Sequence, residues 1–465
     1  MVLKIHVVRP GGHLYYVNDL IPGRAEGSLV AGESPGVWSG DGAAGLGMNG
    51  TVDATGFGEV LDGRDPRSGR TMREWRGHHS VSGYDLSFCA PKSVSLLHLL
   101  APREIAGQVG AGHRAAVAEA VDYLQRTGLG VRRTQRGVTS FLPTTGVVAG
   151  EFVHRTSRAL DPHLHSHLVV ANVAQGVDGR WSAVDSRRIF SHAQATQGIY
   201  HARLRMELTE RLGAAWDVPP SGLGDVVGVD VNLRRLFSRR TAAIGEYMTE
   251  RAGGRGAPTR RGAFHATRPE KDRSQTVESL TGEWRRRADD FGIDLGDLTR
   301  VVGLGRPLRP MEVVEADRVV HRLGLLERTQ STVARRDLIA AVADASPGGT
   351  TVGVIESVAA QVVEVAGSPL DRDGVGTRHH RGDGRAPGVG AREPRWSAGE
   401  VARAVEREPS ILSAAGGSPR PPYEVVPRSP ELVRHHAQPD VLRDGEVTRA
   451  GPTDQVLVRG DVWER

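Results

Sequence analysis

The run Asp161-Pro162-His163-Leu164-His165-Ser166-His167-Leu168-Val169-Val170-Ala171-Asn172, with Phe152-Val153-His154 just before it, decides how this chain is read. Histidine takes every second position immediately ahead of a valine-rich stretch. In a β-strand, which rises about 3.3 Å per residue, residues two apart project from the same face. A strand over residues 164–170 therefore sets His163, His165 and His167 side by side, and His154 closes the group from a neighbouring segment. For a single histidine, a loop residue without a ligand would be the preferred reading. Convergence of three or four imidazoles points instead to a bound metal, since imidazole is the commonest protein ligand.

Composition narrows the rest. A chain of 465 residues, 38% of them hydrophobic, can bury at least one full core, and its length fits two to four domains. Only 5% are aromatic and 59 are glycine, which argues that part of the chain stays unfolded. Lys4, Lys92 and Lys271 are the only lysines, so the basic charge is carried almost wholly by arginine. With a net charge of +5, this balance permits nucleic-acid binding without demonstrating it. Cys89 is the sole cysteine, which excludes an intramolecular disulfide and any multi-cysteine metal site. The N-terminal apolar run is too short for a signal peptide, and no stretch approaches the roughly 20 apolar residues of a membrane span. A soluble, cytoplasmic protein is expected.

Along the chain, residues 1–250 read as a large α/β unit. Strand-like runs at 4–9, 138–142 and 168–173 alternate with helical patterns at 93–100, 104–126 and 193–212. In the second of these helices Ile105, Val109, Ala116, Val117, Ala120, Val121 and Leu124 form a core-facing stripe, and Gly128 marks its stop. Residues 251–273 are basic and glycine-rich and read as a linker able to lie along phosphates. Helical patterns return over 275–365, including 335–343 and 354–365. The expected organisation is a domain of 1–290 that includes the linker, a small helical region of 291–365, and a tail of 366–465. The tail's Gly, Arg, Pro and Asp content predicts it to be largely disordered.

Four pieces now belong together: Tyr15-Tyr16, Asp85 within Gly83-Tyr84-Asp85-Leu86-Ser87-Phe88-Cys89-Ala90-Pro91-Lys92-Ser93-Val94-Ser95, His154, and the histidine run. The set resembles the relaxase domain of MobF-type conjugative relaxases, over roughly residues 1–290 and more weakly to 365. The resemblance implies an α/β (α+β) fold, an antiparallel sheet flanked by helices, with the metal site on its central strands, as in the palm of relaxases and rolling-circle initiators. It implies His154, His165 and His167 as ligands of a divalent cation, Mg²⁺ or Mn²⁺ foremost and Zn²⁺ as a further candidate. His163 falls where the family commonly has a non-ligand.

The implied partner is single-stranded DNA at a transfer origin, with other transfer-complex proteins beside it. The implied activity is strand nicking and rejoining through a 5′-phosphotyrosine. A phenol is a poor nucleophile near neutral pH until positive charge is placed beside the phosphate, which a metal-adjacent tyrosine satisfies. Adjacent side chains diverge, so one tyrosine at a time addresses the phosphate, and Tyr15 is the expected nucleophile. Asp85 either orients a ligand histidine or accepts the tyrosine proton. Lys92, Arg155 and Arg158 are the expected DNA contacts.

Two departures stand out: residues 21–30 hold no second tyrosine pair, and Gly348-Gly349-Thr350-Thr351-Val352-Gly353 lacks the lysine of a phosphate-binding loop. ATP-driven unwinding is therefore not expected of this chain. The alternatives are a rolling-circle replication initiator, or a non-catalytic single-stranded DNA-binding remnant of a truncated relaxase.

Overall fold

In the computed structural model the histidine run is the middle of a five-stranded sheet, ordered Lys4–Val8, Gly83–Cys89, Pro162–Ala171, Ala149–Thr156, Val37–Ser39, with every neighbouring pair antiparallel. The structure describes residues 3–12, 14–17, 35–74, 80–219, 223–251, 259–267, 275–305, 316–327, 332–367 and 394–407. All of them fall in one compact unit, Met1–Ser418.

Strand alternation sorts the side chains into two layers. Leu164, Leu168 and Val170, with Leu86 and Phe88 from the neighbouring strand, face the larger core. That core is roofed by the helices Arg103–Tyr123 and Ser186–Leu212. The opposite face carries His165, His167, Phe152, Val169 and Val8, and a smaller core forms where Val8, Phe152 and Val169 meet Val17, Phe57, Val60 and Leu61. The short helices Leu14–Val17 and Ala54–Leu61 thus belong to the histidine face.

Several expected elements shift at their ends for identifiable reasons. The helix expected at 193–212 begins seven residues earlier, at Ser186, where the Asp185 side chain accepts from the Arg187 N–H. Its first turns hold Arg187, Arg188 and Ser191, whose polarity hides the helical period. The helix Arg103–Tyr123 runs on through a single π turn, Leu124–Gly128, so Gly128 is its last residue. Within the expected linker of 251–273, Arg260–Ala266 is helical, and residues 252–258 and 268–273 lie outside the described residues.

The expected disordered tail requires correction over residues 394–407. Arg395–Ser397 pairs antiparallel with Thr332–Ala334, and the helix Ala398–Arg407 buries Val401, Ala404 and Val405. The two strand-helix units resemble each other, Val333-Ala334-Arg335-Arg336-Asp337-Leu338 against Trp396-Ser397-Ala398-Gly399-Glu400-Val401. Averaging composition over a hundred glycine- and arginine-rich residues concealed this short apolar repeat. The other residues of 366–465, apart from Ala366 and Gly367, lie outside the described residues.

Trp396 is buried and its indole N–H donates to the Gly367 carbonyl at 3.0 Å. Trp396→Ala is expected to cost about 3–5 kcal/mol in a denaturant titration. A neutral result would show that residues 394–407 contribute no stable packing.

Candidate metal centre and tyrosine pair

His154 stands directly opposite His165 in the strand register, and Phe152 opposite His167, so two neighbouring strands deliver three imidazoles to one face. Their ring centroids lie 5.0–5.4 Å apart, and one nitrogen from each falls within 4.8 Å of the others. One cation can reach all three with small ring rotations.

The hydrogen bonds select the free nitrogens. Nδ1 of His165 faces the His163 carbonyl at 2.9 Å and therefore donates to it, leaving Nε2 as a lone-pair donor. Nδ1 of His167 lies 2.8 and 2.9 Å from the two oxygens of Asp85, which again frees Nε2. This carboxylate-histidine arrangement fixes ring orientation and raises ligand basicity. His154 Nδ1 is buried with no hydrogen-bond partner, an orphan that a metal would satisfy. Burial, and next the neighbouring His167, pushes His165 down to about 3, and His154 is lowered well below the usual range by burial first and His165 second. Both are thus held in the neutral form that ligates metal. The residues present fit a divalent cation.

His163 shares the face and stacks on His165 with centroids 4.6 Å apart. It does not join the triad, which is the only group of metal-binding geometry among the described residues.

The tyrosines sit on the one-turn helix Leu14–Val17, seated by the aromatic series Tyr16, Phe152, Phe57 and Trp38, whose successive centroids lie 5.3–5.8 Å apart. The Tyr16 hydroxyl donates to Asp85 Oδ2 at 2.8 Å, and Tyr15 lies edge-on to Tyr16 at 5.0 Å. Burial, reinforced by the Asp85 charge, raises the Tyr16 phenol well above its ordinary range. Both expected partners of Asp85, a ligand histidine and a tyrosine, are therefore in contact with it, and the tyrosine is Tyr16.

Lys92, an expected DNA contact, sits at the entrance of the histidine strand. Its ammonium donates to the Pro162 carbonyl at 2.6 Å, and burial pushes it down to about 8. This bond anchors the start of the histidine strand. Sequence reasoning missed the other anchors of this turn. Asp161, 1% exposed, accepts from the Arg239 backbone at 3.0 Å and from Arg239 Nε at 2.7 Å, and the Trp284 indole donates to the Leu160 carbonyl at 2.8 Å. The only hint was the Asp-Pro pair before the strand.

Arg155 follows His154 beside an irregularity in strand pairing, Arg158 lies in the ensuing turn, and both are half-buried. A second basic feature is the hairpin of Val131–Gln135 and Val138–Leu142, which exposes Arg132 and Arg136 and turns through Arg136-Gly137, both at positive φ.

The profile of the TrwC relaxase family matches residues 15–291. The chain belongs to the TrwC relaxase family. The multifunctional conjugation protein TraI of Escherichia coli is 32% identical over 307 residues, covering 63% of this chain and 16% of that relative. TraI of strain K12 is 31% identical over 269 residues, covering 56% of this chain and 15% of the relative. The chain thus spans less than a fifth of the curated relatives it matches. The conjugative relaxase TrwC solved in a metal-bound complex with oriT DNA superposes with a TM-score of 0.55 at 30% identity, covering 63% of this chain and 99% of that one. The metal-free TrwC complex with oriT DNA gives the same figures. The relaxase fold of this chain, a mixed α/β arrangement around an antiparallel sheet, is established by these matches. Among the described residues no helix is long and apolar enough to cross a membrane.

In this chain, Asp85→Asn is expected to weaken divalent-cation binding by about 10–100-fold, the usual effect of losing a ligand's orienting partner. His154→Ala, His165→Ala or His167→Ala should each exceed that loss, and His163→Ala should fall short of it. Titration calorimetry with Mn²⁺ checks the order, and an effect of His163→Ala equal to that of His165→Ala would redraw the ligand set.

Proposed function

We propose that this chain nicks and rejoins one DNA strand at a transfer origin, with a tyrosine linked to the 5′ phosphate between the two events. The observation that carries the reading is the meeting of tyrosine pair, Asp85 and histidine triad on one sheet face, in a chain whose relatives are relaxases solved with oriT DNA. Cytoplasmic action on single-stranded DNA follows from the same reading.

A divalent cation, for which we propose Mg²⁺ or Mn²⁺, supplies positive charge to the non-bridging oxygens of the scissile phosphate when bound at the triad. The protein's part is positional. Asp85 holds His167 in the tautomer that faces the triad, and the Tyr16 hydroxyl holds Asp85. Tyr16 is the less suited nucleophile of the pair, because burial and an adjacent carboxylate both oppose its ionisation. Tyr15, half-buried against it, is assigned the attack. In that step the Tyr15 oxygen bonds to phosphorus, the bond to the 3′ oxygen breaks, the phenolic proton is released, and the departing 3′ oxygen takes up a proton. One phosphodiester replaces another, so the reverse step needs no ATP.

Arg155 and Arg158 are proposed to contact the DNA backbone near the site, and the arginines of the 131–142 hairpin to meet a duplex segment, since a two-stranded ribbon fits a major groove.

The test uses labelled single-stranded oligonucleotides tiling the DNA that carries the gene, with Mn²⁺ or Mg²⁺. The parent should give a covalent adduct resistant to denaturation. Tyr15→Phe should abolish the adduct while retaining DNA binding, and Tyr16→Phe should keep part of the activity. Peptide mapping of the adduct to Tyr16 would reverse the two roles, and absence of any adduct would leave a DNA-binding remnant.

A further inference from the structure

The reverse side of the histidine strand carries a polar chain that the proposed chemistry does not use. Ser166, between His165 and His167 in sequence, points away from them into the larger core and is fully buried. Its hydroxyl donates to Glu151 Oε1 at 2.9 Å and lies 2.9 Å from His113 Nε2. The hydroxyl has one proton, already given to Glu151, so His113 must donate from Nε2 and accept at Nδ1. The Tyr200 hydroxyl, 2.9 Å from Nδ1, supplies that proton. Tyr200, His113, Ser166 and Glu151 thus form a directional series in which each donor finds an acceptor. His113 and Tyr200 are at most 1% exposed.

The placement is specific. Glu151 lies on the strand that carries His154, and Ser166 on the strand that carries His165 and His167. The Ser166–Glu151 bond therefore stitches the two ligand-bearing strands together from behind. His113, on the helix Arg103–Tyr123, and Tyr200, on Ser186–Leu212, tie that stitch to the roof of the core. Such a tie has work to do, because the register between the strands shifts immediately past His154. A strand pair with a nearby bulge bends and twists more readily than a regular one. Three ligands drawn from two strands keep their separation only if that motion is restrained.

We propose that Ser166, Glu151 and His113 are positioning residues that hold the two ligand strands in the spacing the metal requires. The proposal rests on the metal reading of the triad. Outer contacts of a metal site are worth about 10–100-fold in affinity, and here the effect is transmitted through the strand instead of a bond to a ligand.

The experiment measures Mn²⁺ binding to the full chain by calorimetry, with thermal unfolding recorded without metal. Ser166→Ala removes both bonds of the hydroxyl and should weaken Mn²⁺ binding about tenfold or more in protein that is still folded. Glu151→Met should do the same, whereas Glu151→Gln keeps an oxygen for the serine to donate to and should remain within about threefold of the parent. Tyr200→Phe, one step further along the series, should lie between them. Ser166→Ala and Glu151→Met binding Mn²⁺ like the parent, with only their unfolding temperature lowered, would reduce the series to general stability and overturn the proposal. Should Ser166→Ala not fold, the contrast between Glu151→Met and Glu151→Gln decides alone, and equal affinities overturn the idea. A parent chain that binds no Mn²⁺ would instead overturn the metal reading beneath it.

Discussion

The alternation of one central strand is the constraint on which the remainder hangs. Within Pro162–Ala171, His165 and His167 face one way while Leu164 and Leu168 face the other. A slip of one residue would drive two imidazoles into an apolar core and expose two leucines, so the register is enforced by burial on the reverse side. The anchors at the strand's entrance act on the same variable. Lys92 grips the Pro162 carbonyl, Arg239 grips Asp161, and Trp284 grips the Leu160 carbonyl, so the strand enters the sheet at a fixed point. An aliphatic replacement at any of these would leave a buried acceptor without its donor, a loss of about 1–3 kcal/mol.

Asp85 is the junction between the histidine triad and the tyrosine pair. A single buried carboxylate accepts from both His167 and Tyr16, so neither ring can turn without unsatisfying an oxygen. The arrangement stabilises a well-aligned triad and also makes Tyr16 harder to ionise. Burial is the larger cause of the second effect, and the Asp85 charge adds to it. The adjacent tyrosines therefore differ in setting: the Tyr16 phenol is bonded to the carboxylate, and Tyr15 lies edge-on to its ring. The aromatic series behind Tyr16 lets a helix of one turn hold its position, which its own backbone bonds would not achieve.

Much of this site was legible because strand period and metal-ligand chemistry leave marks in linear sequence. Histidines two apart before a valine run announce a shared face, and the segment around Asp85 carries its family resemblance in consecutive residues. What was not legible depends on partners far apart in the chain. Nothing near Lys92 reveals that its ammonium meets a carbonyl 70 residues away. Ser166 carries no local signal of its bonding, since its partners Glu151 and His113 lie on other elements. The folded segment at 394–407 was obscured because its apolar residues acquire meaning only against the earlier strand-helix unit they resemble.

The helix Ser186–Leu212 shows why the region beyond the family match belongs to the same folded body. On the side facing the sheet it contributes Tyr200, and on another side it buries Arg205, whose guanidinium donates to the carbonyls of Ser346 at 3.1 Å and Ala343 at 2.9 Å. Those carbonyls lie at the C-terminal end of the helix Arg335–Asp344, where a cation complements the helix dipole. Glu119, on the helix Arg103–Tyr123, accepts from the Val352 N–H at the start of Val352–Ala366, the matching interaction of an anion with a helix N-terminus. Close approach is secured by glycine: a Cβ at Gly198 would meet Ala343 at 3.0 Å, and Gly349, at φ +85°, lies against the Ala202 carbonyl. The residues after 291 therefore complete the burial of two charges that sit in the core helices. The same helices carry His113 and Tyr200, so the packing of this outer layer and the polar series behind the histidine strand share one support.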